Sequence, residues 1–402
     1  MDAPVNTGAC EARARMERMQ ASGLKRPARI LFGPGEAERL GAVLSEFRRA
    51  GPVLVVCGGH LAVDARFTEW IRAQLGGPDA RSVRVAVHAG EPTAESVEAL
   101  AADARKMRPG VILAIGGGSI MDAGKAVAAM AVHEGTVEDY LEGPHGARPL
   151  SSDPLPVIAV PTTAGTGSDM TRNAVVLSRR QGCKRSLRDD RLFPSVAIID
   201  PELCRGAPRD VILASGLDAI TQLMESAITV TRTPETTARA LDALRGLASA
   251  LEVCVDPGDD LHARALMSAA ASISGVCLAN SGLGLAHGVA AALGARLGIG
   301  HGLACGMLLA PVMRWNLRAC PADIGRALAA LWDTDPSDPA RLVHRLHTWV
   351  TGLGLPADLR PLRLSAADLD VLSEGSVGSS LRGNPVPMTA GDVRRFLELI
   401  SA

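Results

Sequence analysis

The stretch Val111-Ile-Leu-Ala-Ile115, followed by Gly116-Gly-Gly-Ser119 and Ile120-Met-Asp-Ala-Gly-Lys125, decides the fold. Five consecutive apolar residues stopped by three glycines read as a short buried strand, and Met121 to His133 read as the helix that follows. Bare backbone N–H groups at a helix start, with no Cβ in the way, suit a pyrophosphate. Three glycines are also compatible with a tight turn that binds nothing, and the pattern is not Gly-x-Gly-x-x-Gly.

Working outward, Val53-Leu-Val-Val-Cys57 is a second apolar run, closed by Gly58-Gly59. A helical stretch from Asp64 to Leu75, a strand Val83-Arg-Val-Ala-Val87 and a helix from Glu91 to Arg105 come next. Downstream, the strand Val157-Ile-Ala-Val160 runs into Pro161-Thr-Thr-Ala-Gly-Thr-Gly-Ser168, which carries four hydroxyls in eight residues. Such a loop at a carboxyl strand end either grips phosphate and ribose oxygens or is a solvated polar turn. Strands alternating with helices predict an α/β domain with a parallel sheet. After Asp200-Pro201 the pattern changes, and from Pro208 the chain is Ala- and Leu-rich with helical periodicity. Residues 1–25 are thus read as an N-terminal extension, partly disordered or helical. Residues 26–205 are read as a dinucleotide-binding α/β domain and 206–402 as a helical metal and substrate domain. The cleft between the two is the expected site.

Composition narrows the function classes. A formal net charge of −1 draws the chain to neither nucleic acid nor an anionic membrane. The eight cysteines include no Cys-x-x-Cys pair, which argues against a zinc ribbon or redox dithiol and fits a reducing cytoplasm. Met1 to Arg29 lacks the apolar core of a signal peptide. The uncharged run from Ala265 to Ala295 is broken by Ser, Asn, Gly and His, and reads as buried helices of a soluble core rather than a membrane span.

The motifs at 116–125 and 161–168 together resemble the iron-containing (group III) alcohol dehydrogenases. Asp200-Pro-Glu-Leu203, Gly216-Leu-Asp-Ala219, Leu283-Gly-Leu-Ala-His-Gly288, His301-Gly-Leu and Asn384-Pro385 follow in that family's order. The resemblance implies a Rossmann-like N-terminal domain and an all-α C-terminal domain, a fold shared with dehydroquinate synthase. It also implies NAD(P)-dependent hydride transfer to or from a small alcohol, aldehyde or ketone, by a homo-oligomer, a dimer. By the same resemblance Gly117, Gly118, Ser119 and Asp122 hold the pyrophosphate region. Thr162, Thr163, Thr166, Ser168, Asn173 and Lys184 line the rest of the dinucleotide site. Outside the motif, Lys184 would read as a surface charge.

The family's divalent iron or zinc is held by an Asp, a His four residues later, and two further His. Asp218, His287 and His301 match three of these, and position 222, which shares a helix face with Asp218, is Gln. A carboxylate and two imidazoles with an open position suffice for a catalytic metal, and glycerol dehydrogenases use such a set. Gln222 would add a weak amide-oxygen ligand or hold a water. A further family histidine near the nicotinamide, four residues after His287, is here Ala291. Two other readings stay open: a metal-independent reductase of the maleylacetate reductase type, and a non-catalytic nucleotide-binding relative. A dehydroquinate-synthase-like cyclase is disfavoured by the two glycine motifs. Many NAD-preferring members carry Asp after the first strand, where this chain has Gly58 and, two residues on, His60. NADP(H) is therefore expected over NAD(H).

Overall fold

The computed structural model describes residues 7–47, 50–74, 83–88, 90–143, 146–178, 180, 182–256 and 260–402. In chain order these form α1 (Thr7–Gln20), β1 (Arg29–Phe32), α2 (Leu40–Phe47), β2 (Val53–Gly58), α3 (Gly59–Val63) and α4 (Ala65–Gln74). Then come β3 (Val83–His88), α5 (Ala94–Met107), β4 (Val111–Gly116), α6 (Gly118–Met130), β5 (Val157–Pro161), β6 (Asn173–Ser178), β7 (Cys183–Arg188) and β8 (Val196–Ile199). The remainder is helical: α7 (Arg209–Ile228), α8 (Pro234–Leu244), α9 (Leu247–Val255), α10 (Leu261–Ser281), α11 (Leu285–Leu297) and α12 (His301–Asn316), followed by four more helices. Two compact units emerge. One comprises residues 26–163 and 168–205; the other comprises 164–167, 206–402 and the N-terminal segment through Lys25.

The first unit is an α/β domain with a six-stranded parallel sheet in the order β1-β8-β5-β4-β2-β3. Successive strand residues point to opposite faces, and both sets are apolar. Leu54, Val56, Ile112, Ala114 and Ala159 pack on one face against Val97 and Ala101 of α5 and Met121 and Val127 of α6. Val53, Val55, Cys57, Leu113, Ile115 and Ile158 pack on the other against Leu40 and Leu44 of α2 and Ile71 of α4. Coverage of both faces is why the central strands read as unbroken apolar runs.

Local chemistry moves two helix starts from where periodicity predicts them. The helix expected from Glu91 begins at Ala94, because Thr93 and Ser96 form a reciprocal capping box. The helix expected from Met121 begins at Gly118, directly on the glycine turn, with Gly117 as its cap. An antiparallel ribbon, β6 paired with β7, was not anticipated from the sequence.

The second unit is helical, and it contains more than residues 206–402. Helix α1 is part of it rather than a free extension: Ala12, Met16 and Met19 are buried, and the buried Arg15 guanidinium donates to Ala243 O at 3.2 Å. Their spacing is a helical apolar stripe amid charged residues, legible but short. The expected buried run from Ala265 to Ala295 is α10 and α11, parted at Gly282-Leu283-Gly284. Helices α7 and α10 are each apolar enough over 18 residues to cross a bilayer, yet 78% of each window is buried inside the protein.

The two glycines of the segment 164–167 lie against α7 and α10 with no room for side chains. A Cβ on Gly165 would stand 2.6 Å from Ser215 Cβ, and one on Gly275 would stand 2.1 Å from Gly167 O. Gly167 itself has φ +60. Gly275→Ala is therefore expected to cost about 1–3 kcal/mol, as overpacking of a close contact does. Thermal denaturation should show a lower Tm for Gly275→Ala. Gly352→Ala, which meets nothing within 4 Å, should leave Tm unchanged or raised.

Candidate active site

Three loops meet at the carboxyl edge of the sheet. Gly116 at the end of β4 is paired with Pro161 of β5, and Cys57 of β2 with Ile115 of β4. β3 lies on the far side of β2, so the chain reverses direction between β2 and β4, and ligands of open α/β sheets bind at such a switch point. Gly116 has φ +154, and a Cβ there would stand 2.7 Å from Ile120 Cγ1. That turn aims the start of α6, with its free N–H groups and positive dipole end, into the crevice. Thr162 N donates to Gly116 O at 2.9 Å, and the Cβ position of Gly117 lies 3.4 Å from Thr163 Oγ1. Gly117, Gly118, Ser119, Thr162 and Thr163 are thus brought together, with Gly58 on the neighbouring strand end.

Other residues expected at the dinucleotide are bonded within the protein. Asp122 Oδ1 accepts from Ser168 Oγ at 2.5 Å and pairs with Lys125 Nζ at 3.0 Å, while its Oδ2 accepts from Val175 N at 3.0 Å. Lys125, 1% exposed, also donates to Ser168 O and Thr171 Oγ1. Burial pushes its ammonium down, against the pull of Asp122. Asp122 and Ser168 therefore fasten the second loop and β6 to α6 and shape the wall of the crevice. Asn173, at the start of β6, is buried with its Oδ1 unpartnered among the described residues. Lys184 on β7 pairs with Glu91 Oε1 at 2.5 Å. Thr166 belongs to the helical unit, where its carbonyl accepts from Gln222 Nε2 at 3.3 Å.

Within the helical unit, α7 carries Asp218, α11 carries His287 and α12 carries His301. Asp218 Oδ1 lies 3.3 Å from His287 Nε2 and 3.8 Å from His301 Nε2. One turn along α12, Cys305 Sγ lies 3.8 Å from His301 Nε2, and the donor atoms of all four residues lie within 4.8 Å of one another. Asp218 Oδ1 and His287 Nε2 are buried with no hydrogen-bond partner among the described residues. In a tetrahedral site, nitrogen and oxygen ligands at 2.0–2.2 Å stand about 3.3–3.5 Å apart. Asp218 and His287 fit a divalent ion on spacing, chemistry and unpartnered atoms alike, and His301, at 3.8 Å from Asp218, adds an imidazole within a few tenths of an ångström of that spacing.

Glu225, two turns after Asp218 on α7, supports this site and was not anticipated from the sequence. Its carboxylate accepts from Gly284 N at 3.0 Å and Ala286 N at 2.7 Å, at the start of α11, and meets His287 Nδ1 at 2.7 Å. With the Nδ1 proton given to Glu225, Nε2 faces Asp218, and its proton is the one an incoming cation would displace. The spacing of seven residues between Asp218 and Glu225 is the signal that could have found it. Burial alone would push the Asp218 carboxyl up, but His301 and His287 outweigh it and hold it below the usual carboxylate range. Burial likewise opposes the charged form of His287, but the Cys305 sulfur, Asp218 and Glu225 outweigh it and carry its pKa well above 6.5. Surroundings that hold protons this firmly attract a cation.

Gln222 is placed differently from expectation. Its amide oxygen, which would have to face a metal or a water on it, accepts from Ser274 Oγ at 2.8 Å, and its nitrogen goes to Thr166 O. It ties α10 and the segment 164–167 to α7. Ala291, half-buried one turn beyond His287, brings no titratable group to its position.

Glu225→Gln keeps the shape of the carboxylate but weakens its grip on His287 and α11. It is expected to lower metal affinity about 10–100-fold, as loss of an outer-shell partner does. Competition against a chelator measures this, with circular dichroism to confirm retained helicity.

Known proteins are similar to this chain in sequence and fold. Residues 27–201 match the family model for iron-containing alcohol dehydrogenase, and residues 212–400 match that for the C-terminal part of the same family. The chain is 33% identical over 315 residues to long-chain-alcohol dehydrogenase 1 of Geobacillus thermodenitrificans, covering 77% of this chain and 79% of that one. It is 35% identical over 348 residues to phosphonoacetaldehyde reductase of Streptomyces viridochromogenes, covering 82% and 86%. The crystal structure of sulfoacetaldehyde reductase from Bifidobacterium kashiwanohense in complex with NAD+ superposes with a TM-score of 0.82 at 27% identity, over 94% of this chain and 98% of that one. Both units match, and the glycine turn stands at a switch point as a dinucleotide requires, so the chain belongs to the iron-containing alcohol dehydrogenase family and is an NAD(P)-dependent oxidoreductase.

Proposed function

We propose that the protein transfers a hydride between NADP(H) and a small alcohol, aldehyde or ketone, with a divalent iron or zinc ion held by Asp218, His287 and His301. The observation that carries the metal is the facing pair of buried, unpartnered atoms, Asp218 Oδ1 and His287 Nε2, 3.3 Å apart. A divalent ion bound there supplies Lewis-acid polarisation of the substrate oxygen, and the nicotinamide supplies or takes the hydride. The chain's own residues prepare for both. Glu225 fixes the tautomer of His287, and Asp218 stays ionised because the two imidazoles hold its pKa down. The start of α6 receives the pyrophosphate. With alanine at 291, no imidazole at that position carries the alcohol proton, and water or the cofactor's ribose hydroxyls serve instead. Two of the relatives are named as aldehyde reductases, which supports an aldehyde as the substrate class.

The preference for NADP(H) rests on Gly58. It ends β2 with no carboxylate to repel a 2′-phosphate, and a Cβ there would lie 3.1 Å from His60 Cε1. The imidazole of His60 thus stands beside the bare glycine, where it adds positive charge when protonated.

Two experiments test the reading. NADPH oxidation across short aldehydes and ketones, with and without Zn²⁺ or Fe²⁺, should show activity that follows metal content. His287→Ala should abolish metal binding and activity together, and full activity in metal-stripped protein would remove the Lewis-acid role. Gly58→Asp should lower kcat/KM for NADPH on the order of tenfold more than for NADH, as one unfavourable contact of about 1.4 kcal/mol does. A wild type with clearly higher kcat/KM for NADH would overturn the cofactor preference.

A further inference from the structure

We propose that Cys305 is a metal ligand, its thiolate completing an Asp218–His287–His301–Cys305 set that selects zinc over iron. The inference rests on the reading of the first three residues as ligands and adds the donor that Gln222 does not supply.

Three observations carry it. The first is position. Cys305 lies four residues after His301 on α12, so both side chains leave the same helix face. Its Sγ is 3.8 Å from His301 Nε2, and it belongs to the cluster, the one of its kind among the described residues, whose donor atoms all lie within 4.8 Å of one another. For a tetrahedral ion with sulfur at about 2.3 Å and nitrogen at about 2.0–2.1 Å, the expected sulfur–nitrogen separation is about 3.6 Å.

The second observation is how α12 is seated. A Cβ on Gly302 would stand 2.3 Å from Ala214 O of α7, and one on Gly306 would stand 2.8 Å from Leu217 Cδ1. These glycines follow His301 and Cys305 directly in the sequence. Their lack of side chains lets α12 come close enough to α7 for both donors to reach Asp218.

The third is that the surroundings of this sulfur differ from those of the buried Cys277 and the half-buried Cys320. Cys277 Sγ faces the Thr236 carbonyl, and Cys320 Sγ faces that of Asn316, each at 3.6 Å. Both are small hydrophobes with a backbone acceptor. Cys305 is fully buried, and its neighbours are an imidazole and a carboxylate left without hydrogen-bond partners. Gln222, where an imidazole would serve as donor, has its amide oxygen on Ser274. A soft thiolate beside two imidazoles and one carboxylate favours zinc over iron(II).

The test is optical. Protein stripped with chelator and loaded with Co²⁺ should show visible cobalt bands together with near-ultraviolet thiolate-to-cobalt charge transfer. Cys305→Ser should keep the visible bands and lose the charge-transfer absorption. Its zinc affinity should fall by at least the roughly tenfold that losing an outer-shell partner costs, with a smaller loss for Fe²⁺. Visible cobalt bands without thiolate charge transfer in the wild type would overturn the role of Cys305 and leave the three-ligand site standing. A charge-transfer band that survives in Cys305→Ser would overturn it too, by placing the sulfur elsewhere. Absence of bound cobalt in the wild type would overturn the underlying site and this inference together. If Cys305→Ser fails to fold, Cys305→Ala read in the same way identifies the sulfur, and the wild-type spectrum alone already decides the first and third of these outcomes.

Discussion

The helical unit is built around a negative charge that it does not neutralise with hydrogen bonds. Asp218 is 1% exposed, and its Oδ1 has no partner among the described residues. Taking an ion out of water costs several kcal/mol unless something charged or polar compensates. Two imidazoles and a sulfur are gathered around it instead of amides and hydroxyls. That choice suits a centre that holds a cation, and it goes with the close packing of three helices. α11 is held by the carboxylate of Glu225 at its first turn, and α12 by glycines pressed on α7. The stability of the unit and its affinity for a cation are therefore the same free energy seen from two sides.

The α/β unit solves a different electrostatic problem. A buried lysine, Lys125, stands behind the glycine turn and is satisfied by Asp122, Ser168 O and Thr171 Oγ1. This network spends the polar side chains of the motif on holding the loop, and leaves backbone N–H groups to face the ligand. Main-chain donors at a helix start bind any phosphate diester alike. In the proposed function, discrimination between dinucleotides falls to the next strand end, at Gly58.

Much of this was legible in the sequence because it is local. The runs 53–57, 111–115 and 157–160 became β2, β4 and β5, and the glycine turn feeds α6 directly. Asp218, His287 and His301 converge as their order in the motif implied. What was not legible depends on long-range pairing. Asp122 bonds a serine 46 residues away, and Gln222 gives its oxygen to a serine 52 residues away. No local pattern distinguishes a carboxylate or amide so engaged from one free to bind a ligand. The β6–β7 ribbon escaped notice because Cys183-Lys-Arg-Ser-Leu-Arg188 is polar and mostly half-buried, without the alternation that marks a strand.

Helix α1 gives this chain an unusual order of events during synthesis. Its stripe of Ala12, Met16 and Met19 is made before α10, against which it packs and which follows roughly 240 residues later. At about 5–20 residues per second that interval is on the order of 10–50 seconds. The whole α/β unit is translated, and has time to fold, while the first helix waits with its apolar face uncovered. Helix α1 thus finds its place only after the α/β unit has been made, and the nascent chain must stay soluble with that apolar stripe uncovered until α10 has emerged.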